Sequence, residues 1–446
     1  MQTRRDHLHA YRFAMGRLAT ALVSGDPGRG DSPTARAALG TFMGAGVVLL
    51  LCAGFGVYGL ISPPANTSWR TAGSIVVEQQ TGSRYLYLDG ELRPVLNYAS
   101  ALLILGTGAT VRDASSASLN HTPYGSPVGI PDAPDTLPAP TALLSGPWTQ
   151  CLRSDVPGGE VVDFDPAGHT AGLPADHQLL ISGPHGNRYL LFNGVLYPVP
   201  STSALIALGL DGDQALHAPQ AWLSALPTGP ALAAAPISGS GRPAARVAGQ
   251  PTDVGQLFAT AGAGTGHEFV MTGDGVAPVG ATEAALLAAR PGTPAVRTVA
   301  ATDLASAPVS SAPAPGGSLP DVLDAPAPAL GSTAVCLRQQ SDGAALSSQV
   351  VVEHGPAATG DRTVLIPPTG GVLAVDQQQV AQQASDPQTY LVTDQGIAYP
   401  LGDGQAEQDL GLGSTGAMPL PESVLAVLPR GPVLDSSAAR LTVKGG

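Results

Sequence analysis

The sequence predicts an α+β fold: an N-terminal amphipathic helix and one transmembrane helix, then an ectodomain of four small βββα repeats around a central β-rich domain with pseudo-twofold symmetry. Three observations support this prediction. One apolar stretch near the N-terminus is long enough to cross a membrane. After it, a strand-and-turn pattern recurs four times, and two of the intervals between copies contain the same Cys-Leu-Arg triplet.

Composition limits what such a chain can do. Only 12% of its 446 residues are charged, while Gly and Pro occupy 56 and 42 positions, which is unusual for a compact enzyme. With 4% aromatic residues, the core must be built from small apolar side chains. The net charge of -13, with Lys444 as the single lysine, argues against nucleic acid as a partner, because phosphates require clustered cations.

Residues 1–38 are predicted to be a basic cytoplasmic region with one amphipathic helix. Its apolar seam repeats at spacings of three and four, through Leu8, Tyr11, Met15, Leu18 and Leu22. Thr3 with Asp6 provides a start signal, and residues 24–27 provide a stop. Such a seam with basic flanks suits a helix lying on anionic lipid as well as one docked on a cytoplasmic partner.

Residues 39–61 carry no charge and are long enough to span roughly 30 Å of hydrocarbon. A cleaved signal peptide is disfavoured, because the preceding charged region is too long and no small-residue cleavage site follows. Arginines precede the span at Arg4, Arg5, Arg12, Arg17, Arg29 and Arg36. The positive-inside rule therefore places the N-terminus in the cytoplasm and the ectodomain outside the cell inner membrane.

The repeat pattern is a strand, a turn, a second strand, a Gly turn, a third strand ending near Pro, and a short helix. The first copy, RYLYLDGELRPVLNYASALLILG, begins at Arg84, and RYLLFNGVLYPVPSTSALIALGL begins at Arg188. Looser copies begin at His267 and Thr389. Asp-Gly and Asn-Gly in the first two copies predict tight hairpins with positive φ. The third copy departs from the pattern, because Pro278 follows its turn Gly by three residues instead of four.

Two long intervals between copies hold the ectodomain cysteines, Cys151 and Cys336. Each cysteine begins Cys-Leu-Arg and precedes a similar strand, residues 161–163 (VVD) and 351–353 (VVE). An internal duplication is inferred, whose two inserts meet near the pseudo-twofold axis. In an oxidising compartment a disulfide is expected, and it would stabilise the fold by about 5 kcal/mol on the chain-entropy model. The alternative is two separate buried thiols; Cys52 lies in the span and is excluded.

These features divide the chain into eight predicted segments. They are the cytoplasmic helix 1–38, the transmembrane helix 39–61, repeat 1 at 62–112, the first segment of the central domain at 113–176, repeat 2 at 177–224, a linker with repeat 3 at 225–298, a linker with the second segment of the central domain at 299–376, and repeat 4 with the tail at 377–446. Residues 227–249 and 300–330 are rich in Pro, Ala, Gly and Ser, and are expected to be exposed connections.

Catalytic motifs are missing from the sequence. It contains no Walker A loop, G-x-S-x-G elbow, H-E-x-x-H helix or C-x-x-C pair. The pairs Asp163/Asp165 and Asp211/Asp213 are interpreted as solvated surface. No catalytic, cofactor-binding or metal-binding residue and no cofactor are therefore predicted, and the candidate site residues are the two ectodomain cysteines.

Five blocks within residues 5–151 carry a family resemblance. They are RDHLHAYRF from Arg5, NTSWR from Asn66, LNYASALLILG from Leu96, GSPVGIPDAPDTLP from Gly125 and GPWTQC from Gly146. These blocks resemble the EccB family of actinobacterial type VII (ESX) secretion components. The resemblance implies the same order of parts: four repeats, a central domain and one disulfide.

That resemblance implies a structural membrane subunit. It would assemble with an EccC-like motor ATPase and with EccD-like and EccE-like membrane subunits, and oligomerise with its own copies through the ectodomain. Some family members are credited with ATP hydrolysis, which no nucleotide motif supports here, so an enzyme is disfavoured but left open. Two alternatives stand beside this role: a module that binds peptidoglycan of the cell wall, and an ectodomain hydrolase or ATPase.

Overall fold

The computed structural model describes residues 3–25, 33–61, 67–260, 268–342, 345–413 and 416–443. The chain divides into two compact units. The first consists of Met1–Leu92 and Val111–Pro123, and the second of Arg93–Thr110 and Tyr124–Gly446.

Two helices open the first unit, α1 (Arg4–Ser24) and α2 (Pro33–Ile61). The Thr3 backbone N–H and hydroxyl donate to the Asp6 carboxylate at 2.9 and 2.7 Å, and Gly25 ends α1 in the left-handed conformation, as predicted. Phe13 is exposed on the face away from the seam, so the helix is less two-sided than expected. In α2, Ala38–Gly59 is long and apolar enough to cross a membrane.

The first unit also contains sheet A, with strand order β3-β2-β1-β4. The elements of this region are β1 (Ser74–Glu78), β2 (Arg84–Leu88), β3 (Glu91–Pro94), α3 (Tyr98–Leu105), β4 (Thr110–Ala114) and α4 (Ser116–Leu119). Trp69 is fully buried at its core, where its indole N–H donates to the Ser118 hydroxyl at 2.8 Å. Helix α3 belongs to the second unit.

The remaining elements all lie in the second unit. In chain order they are β5 (Trp148–Leu152), β6 (Glu160–Asp163), β7 (Thr170–Gly172), β8 (Gln178–Ser182), β9 (Arg188–Phe192), β10 (Val195–Val199), α5 (Thr202–Ala207), β11 (Leu216–His217), α6 (Gln220–Ser224), β12 (Pro243–Val247), β13 (Gln250–Asp253), β14 (Leu257–Thr260), β15 (Glu268–Met271), β16 (Val276–Val279), α7 (Ala281–Ala288), β17 (Arg297–Val299), α8 (Ala301–Ala305), β18 (Thr333–Asp342), β19 (Ala345–His354), α9 (Pro356–Thr359), β20 (Val364–Leu365), β21 (Gly371–Asp376), α10 (Gln377–Ala381), β22 (Thr389–Thr393), β23 (Ala398–Pro400), α11 (Gly404–Asp409), β24 (Met418–Leu420), α12 (Glu422–Val427) and α13 (Ser436–Ala439).

Three further four-stranded sheets form in this unit: sheet B (β10-β9-β8-β11), sheet C (β16-β15-β14-β17) and sheet D (β23-β22-β21-β24). In each, three antiparallel strands are followed by a helix and a fourth strand, which runs parallel to the first. The mixed α+β class is as predicted. The fourth strand was not, because its two or three residues carry too little alternation to be recognised in the sequence.

The tight turns have the expected backbone. Asp89 and Gly90 have φ of 52° and 87°, and Asn193 and Gly194 have φ of 51° and 72°. In the third copy the turn Gly lies one residue later relative to the strands, and Phe269 pairs with Pro278 just as Tyr189 pairs with Pro198 in sheet B. The changed position of the Gly therefore leaves the pairing of the strands intact, and residues 272–275 form the turn.

A proline strap follows each copy and lies along its third strand. A backbone N–H of that strand donates to the proline carbonyl in the pairs Leu92 to Pro123, Val276 to Pro308, Leu196 to Pro227, and Ala398 to Pro429. In sheets B and D a glycine two residues later donates back to the same strand. The straps satisfy an edge that would otherwise present unpaired backbone groups.

Residues 227–249 and 300–330 are exposed over most of their length, as expected, but a few of their apolar side chains are buried. Leu232 and Val322 are fully buried in a cluster with Leu190 of sheet B and Leu286 of α7. Residues 243–247 form strand β12. Small apolar residues separated by Pro and Gly give a composition like that of a linker, while a few Leu and Val side chains supply enough apolar surface to be buried.

Candidate functional site: the six-stranded sheet

The sheet between sheets B and D has the order β20-β6-β5-β18-β19-β7, and it contains both predicted site residues. Cys151 on β5 pairs directly with Cys336 on β18. The structure joins their sulfurs at 2.06 Å, and both side chains are fully buried. On the outer side of this pair, Val161 lies opposite Cys151 and Val351 opposite Cys336.

The two inserts exchange edge strands. Strand β7, from the first insert, pairs antiparallel with β19 of the second. Strand β20, from the second insert, pairs parallel with β6 of the first. Neither insert can therefore complete its side of the sheet without the other.

Alternation along β5 gives the sheet two different faces. Trp148 and Leu152 point to one face, where Trp148 packs in the cluster of sheet D and Leu152 in the cluster of sheet B. The indole N–H of Trp222, on α6, donates to the Gln150 carbonyl at 3.2 Å and fastens sheet B to this strand. Thr149 and Cys151 point to the opposite face, which is covered by Ala357 of α9.

A buried carboxyl group lies beside the disulfide on this second face. The Thr149 hydroxyl donates to Glu353 Oε2 at 2.6 Å, and Cys151 Sγ lies 3.5 Å from the same oxygen. Strand β18 separates β5 from β19, so this contact requires the sheet to curl around the disulfide. Glu353 is fully buried.

Burial, with a smaller contribution from the neighbouring Asp163 carboxyl group, raises the pKa of Glu353 to about 8, although the Thr149 hydrogen bond lowers it. At neutral pH Glu353 therefore holds its proton. On the other face, burial raises the pKa of Glu160 to about 7, although the Gln150 amide donates to it at 2.8 Å.

The interpretation of Asp163 and Asp165 as a solvated pair is wrong for Asp163. Asp163 is buried, and its Oδ1 accepts the Asp165 backbone N–H at 2.8 Å. Asp211 and Asp213 are exposed, as expected. The sequence signal for the buried acids was present in the VVD and VVE strands, since both carboxylates follow two valines, but position in a strand does not reveal which face becomes enclosed.

Across the described residues, one group of three potential metal ligands comes within mutual reach: Cys151, Cys336 and Glu353. The disulfide occupies both sulfurs, so this group has one free donor and does not fit a metal centre. At this site a disulfide bond and a buried hydrogen bond join the two inserts.

Comparison with known proteins gives one family across the chain. Residues 1–445 match the family model described as "Type VII secretion system ESX-1, transport TM domain B" (EccB). Among curated relatives, the ESX-1 secretion system ATPase EccB1 of Mycolicibacterium smegmatis is 26% identical, with 98% of this chain and 94% of the relative covered. The ESX-5 secretion system ATPase EccB5 of Mycobacterium marinum is 27% identical, covering 98% and 92%.

Solved structures show the same fold. A chain of an intact ESX-5 inner membrane complex matches with a TM-score of 0.57 at 23% identity, covering 100% of this chain and 96% of that one. A chain of the periplasmic assembly from the ESX-5 complex gives 0.60 at 22%, covering 87% and 99%. A chain of an EccB3 dimer from the ESX-3 core complex gives 0.54 at 26%, covering 82% and 99%.

Proposed function

We propose that this chain, which belongs to the EccB family of type VII secretion proteins, is a structural subunit of an inner-membrane secretion complex. One observation carries the proposal. The family match runs from residue 1 to 445, so it includes the basic helix, the apolar span and the whole ectodomain. A match limited to the ectodomain would give the proposed membrane role less support.

The proposed topology places α1 in the cytoplasm and residues 62–446 in the periplasm. The arginines before α2 and the apolar character of Ala38–Gly59 support this orientation. The eight segments given above, from 1–38 to 377–446, are the domain division that we propose. The ectodomain would then be free to associate above the membrane, while α1 stays on the side of a cytoplasmic motor.

Pseudo-twofold symmetry is the proposed arrangement of the ectodomain. Its axis would pass between Cys151 and Cys336, since β6-β5 and β18-β19 are arranged equivalently on either side of this pair. Packing supports the same symmetry: sheets B and D contact the same face of the six-stranded sheet. Helix α5 of sheet B meets α7 of sheet C, and helix α11 after sheet D meets α3.

The proposed role of the Cys151–Cys336 disulfide is to fix this axis. The bond closes a loop with a sequence separation of 185 and joins the innermost strands of the two inserts. A rigid ectodomain would present its surfaces to neighbouring subunits in one arrangement, which reduces the free-energy cost of assembly.

The proposed partners are an EccC-like motor ATPase, EccD-like and EccE-like membrane subunits, and further copies of this chain through the ectodomain. The relatives of similar fold were solved within ESX-5 inner membrane complexes and as an EccB3 dimer, which supports both kinds of association. The exposed α1 helix is proposed to dock on a cytoplasmic partner.

Gentle extraction of the full-length protein from its own membranes, followed by native mass analysis, tests this role. We expect proteins similar to the motor and membrane subunits to remain bound. A variant with Leu8→Asp and Leu18→Asp on the α1 seam should lose cytoplasmic partners, whereas Ala10→Asp on the opposite face should retain them. Wild-type protein emerging alone would contradict the proposed role.

Nucleotide hydrolysis is a second candidate, favoured by the names of the relatives, which call them secretion system ATPases. Phosphate release by purified full-length protein supplied with ATP and Mg²⁺ tests it. The expected result, given the lack of a Walker A motif, is no turnover above that of the detergent buffer. Turnover that copurifies with the chain and survives removal of every other protein would establish the second candidate.

Cell-wall binding is the remaining alternative, and one cleft favours it. Sheet B carries an open cleft of about 680 Å³ lined by Arg188, Tyr189 and Ser201 among others, a size typical of ligand sites. Retention of full-length protein on purified peptidoglycan, lost in Arg188→Ala with Tyr189→Ala but kept in Gln220→Ala, would support this alternative. Equal retention of all three proteins would remove it.

A further inference from the structure

Two histidines face each other at the β7 edge of the six-stranded sheet. His169 directly precedes β7, and His354 ends β19. The His354 backbone N–H donates to the His169 carbonyl at 3.1 Å, which extends the pairing of Thr170 with Glu353 by one position. The two rings are therefore cross-strand neighbours, and the backbone hydrogen bonds between the two strands fix their positions.

The ring geometry suits one shared ion. The ring centroids are 6.0 Å apart with an interplanar angle of 78°, and both side chains are exposed. An imidazole nitrogen binds Zn²⁺ at about 2.0–2.1 Å, which places the centroids of two rings on one tetrahedral ion about 5–6 Å apart. Small side-chain rotations would therefore bring a nitrogen of each ring onto the same ion.

We propose that His169 and His354 form a binding site for one divalent transition-metal ion across β7 and β19. Imidazole ligands select Zn²⁺, Cu²⁺ or Ni²⁺ over Mg²⁺ and Ca²⁺, which take oxygen ligands. Because the pair stands at an exposed edge, water or a side chain of an associated protein supplies the remaining coordination positions. The site is separate from the buried group formed by the disulfide and Glu353.

The position of the site defines its role. His169 comes from the first insert and His354 from the second, and β7 pairs with β19 over only three residues. A metal ion held by both imidazoles would fasten this short strand exchange at the sheet edge, as the disulfide fastens the centre. Metal binding to the folded state alone would then stabilise the exchanged arrangement.

Competition between full-length protein in mild detergent and a chromophoric chelator for Zn²⁺ tests the site. We expect one ion per chain, and His169→Gln or His354→Gln should each weaken binding at least about tenfold, because each removes a ligand. His217→Gln, an exposed histidine on β11, is the matched control and should bind as the wild type does. Equal affinity in all four proteins would overturn the proposal.

A measurement on the unmodified protein guards against variants that fail to fold. If a variant loses the native tryptophan emission, the site is tested instead by electron spin resonance of wild-type protein with one equivalent of Cu²⁺. Coupling to two imidazole nitrogens supports the site, and coupling to one or none overturns it. Neither readout depends on secretion partners, so its outcome is independent of the proposed role in the complex.

Discussion

In sheet B, each antiparallel strand pair joins segments close in sequence, with Arg188–Phe192 against Val195–Val199 across a two-residue turn. In the six-stranded sheet, β5 pairs with β18, and the cysteines in that pair are separated by 185 residues. Closing so long a loop costs conformational entropy before any contact forms, whereas a hairpin costs little. The local sheets can therefore rely on turns and straps, while the six-stranded sheet needs covalent and buried polar links.

This difference shows where the β-rich part of the chain is vulnerable. Damage to a turn or a strap should loosen one sheet, since its pairing is local. Loss of the disulfide, or ionisation of the buried acids, should loosen the junction on which sheets B and D both pack.

Replacing both cysteines, with Cys151→Ser and Cys336→Ser, should lower the free energy of unfolding by about 5 kcal/mol on the chain-entropy model. Denaturant unfolding of the full-length protein, followed by the emission of Trp148 and Trp222, measures the effect. Cys52→Ser, in the span, is the control and should leave the unfolding midpoint unchanged. A double variant as stable as the wild type would show that strand pairing alone holds the inserts.

The stability of the six-stranded sheet should depend on pH through Glu353. Its pKa is raised from 4.5 to about 8 by burial, so the folded state binds the proton more tightly than the unfolded state. The stabilisation is complete below about pH 4.5 and is lost as pH rises to about 8, at up to about 1.4 kcal/mol per pH unit.

Glu353→Gln should therefore match the wild type near pH 5 and be the more stable protein at pH 8, because its amide keeps the hydrogen bonds without ionising. Denaturant unfolding at both pH values checks this, with the exposed Glu422→Gln as control. Because the pKa of Glu160 is about 7, the stability of the variant should still fall as the pH rises, but less steeply than that of the wild type. Identical pH profiles for variant and wild type would place the titrating group elsewhere.

Gly431→Ala should loosen sheet D without opening the six-stranded sheet. A Cβ there would overlap the buried Tyr399 ring, and overpacking of this kind costs about 1–3 kcal/mol. Hydrogen exchange should quicken in β22 and β23 while β5 and β18 keep their protection. Gly416→Ala, which meets no atom within 4 Å, is the control. Faster exchange across both sheets would mean that the two are not independent.

The smallest effect is expected at Asp274 in sheet C. The strap of this sheet has serine where the straps of sheets B and D have glycine, and the Asp274 side chain binds the strap in an arrangement that we call the polar clamp. Its carboxylate accepts hydrogen bonds from Thr272, Ser310 and Ser311. The Ser311 backbone N–H, followed by the hydroxyl groups, lowers the pKa of Asp274 below its ordinary value of 3.8. The clamp therefore contributes above about pH 3.8 and is lost as the pH falls further.

Asp274→Ala should quicken hydrogen exchange at residues 308–312 at neutral pH. The wild type should show the same quickening only under strongly acidic conditions. Asp211→Ala, at an exposed position, is the control and should leave exchange at residues 308–312 unchanged. If exchange at the strap is unchanged in Asp274→Ala, the backbone hydrogen bonds between Val276 and the strap secure it without the clamp.

Much of this molecule follows from its sequence. The uncharged span, the capped basic helix and the Asp-Gly and Asn-Gly turns depend on neighbouring residues, so local chemistry is enough to predict them. The likeness between the two Cys-Leu-Arg inserts also located the strands that surround the disulfide. The later turn glycine of the third copy was visible as a change of spacing, although the unchanged pairing of its strands was not.

Only the tertiary structure decided the rest. The fourth strands, the exchange of β7 and β20, and the burial of Asp163 and Glu353 all depend on which distant segment lies beside each strand. Leu232 and Val322, in segments 227–249 and 300–330, are buried because sheet B and α7 cover them, and nothing in the composition of these segments indicates this. Local turns are set by the backbone preferences of a few residues, whereas the curl that encloses a carboxyl beside a disulfide requires both inserts at once.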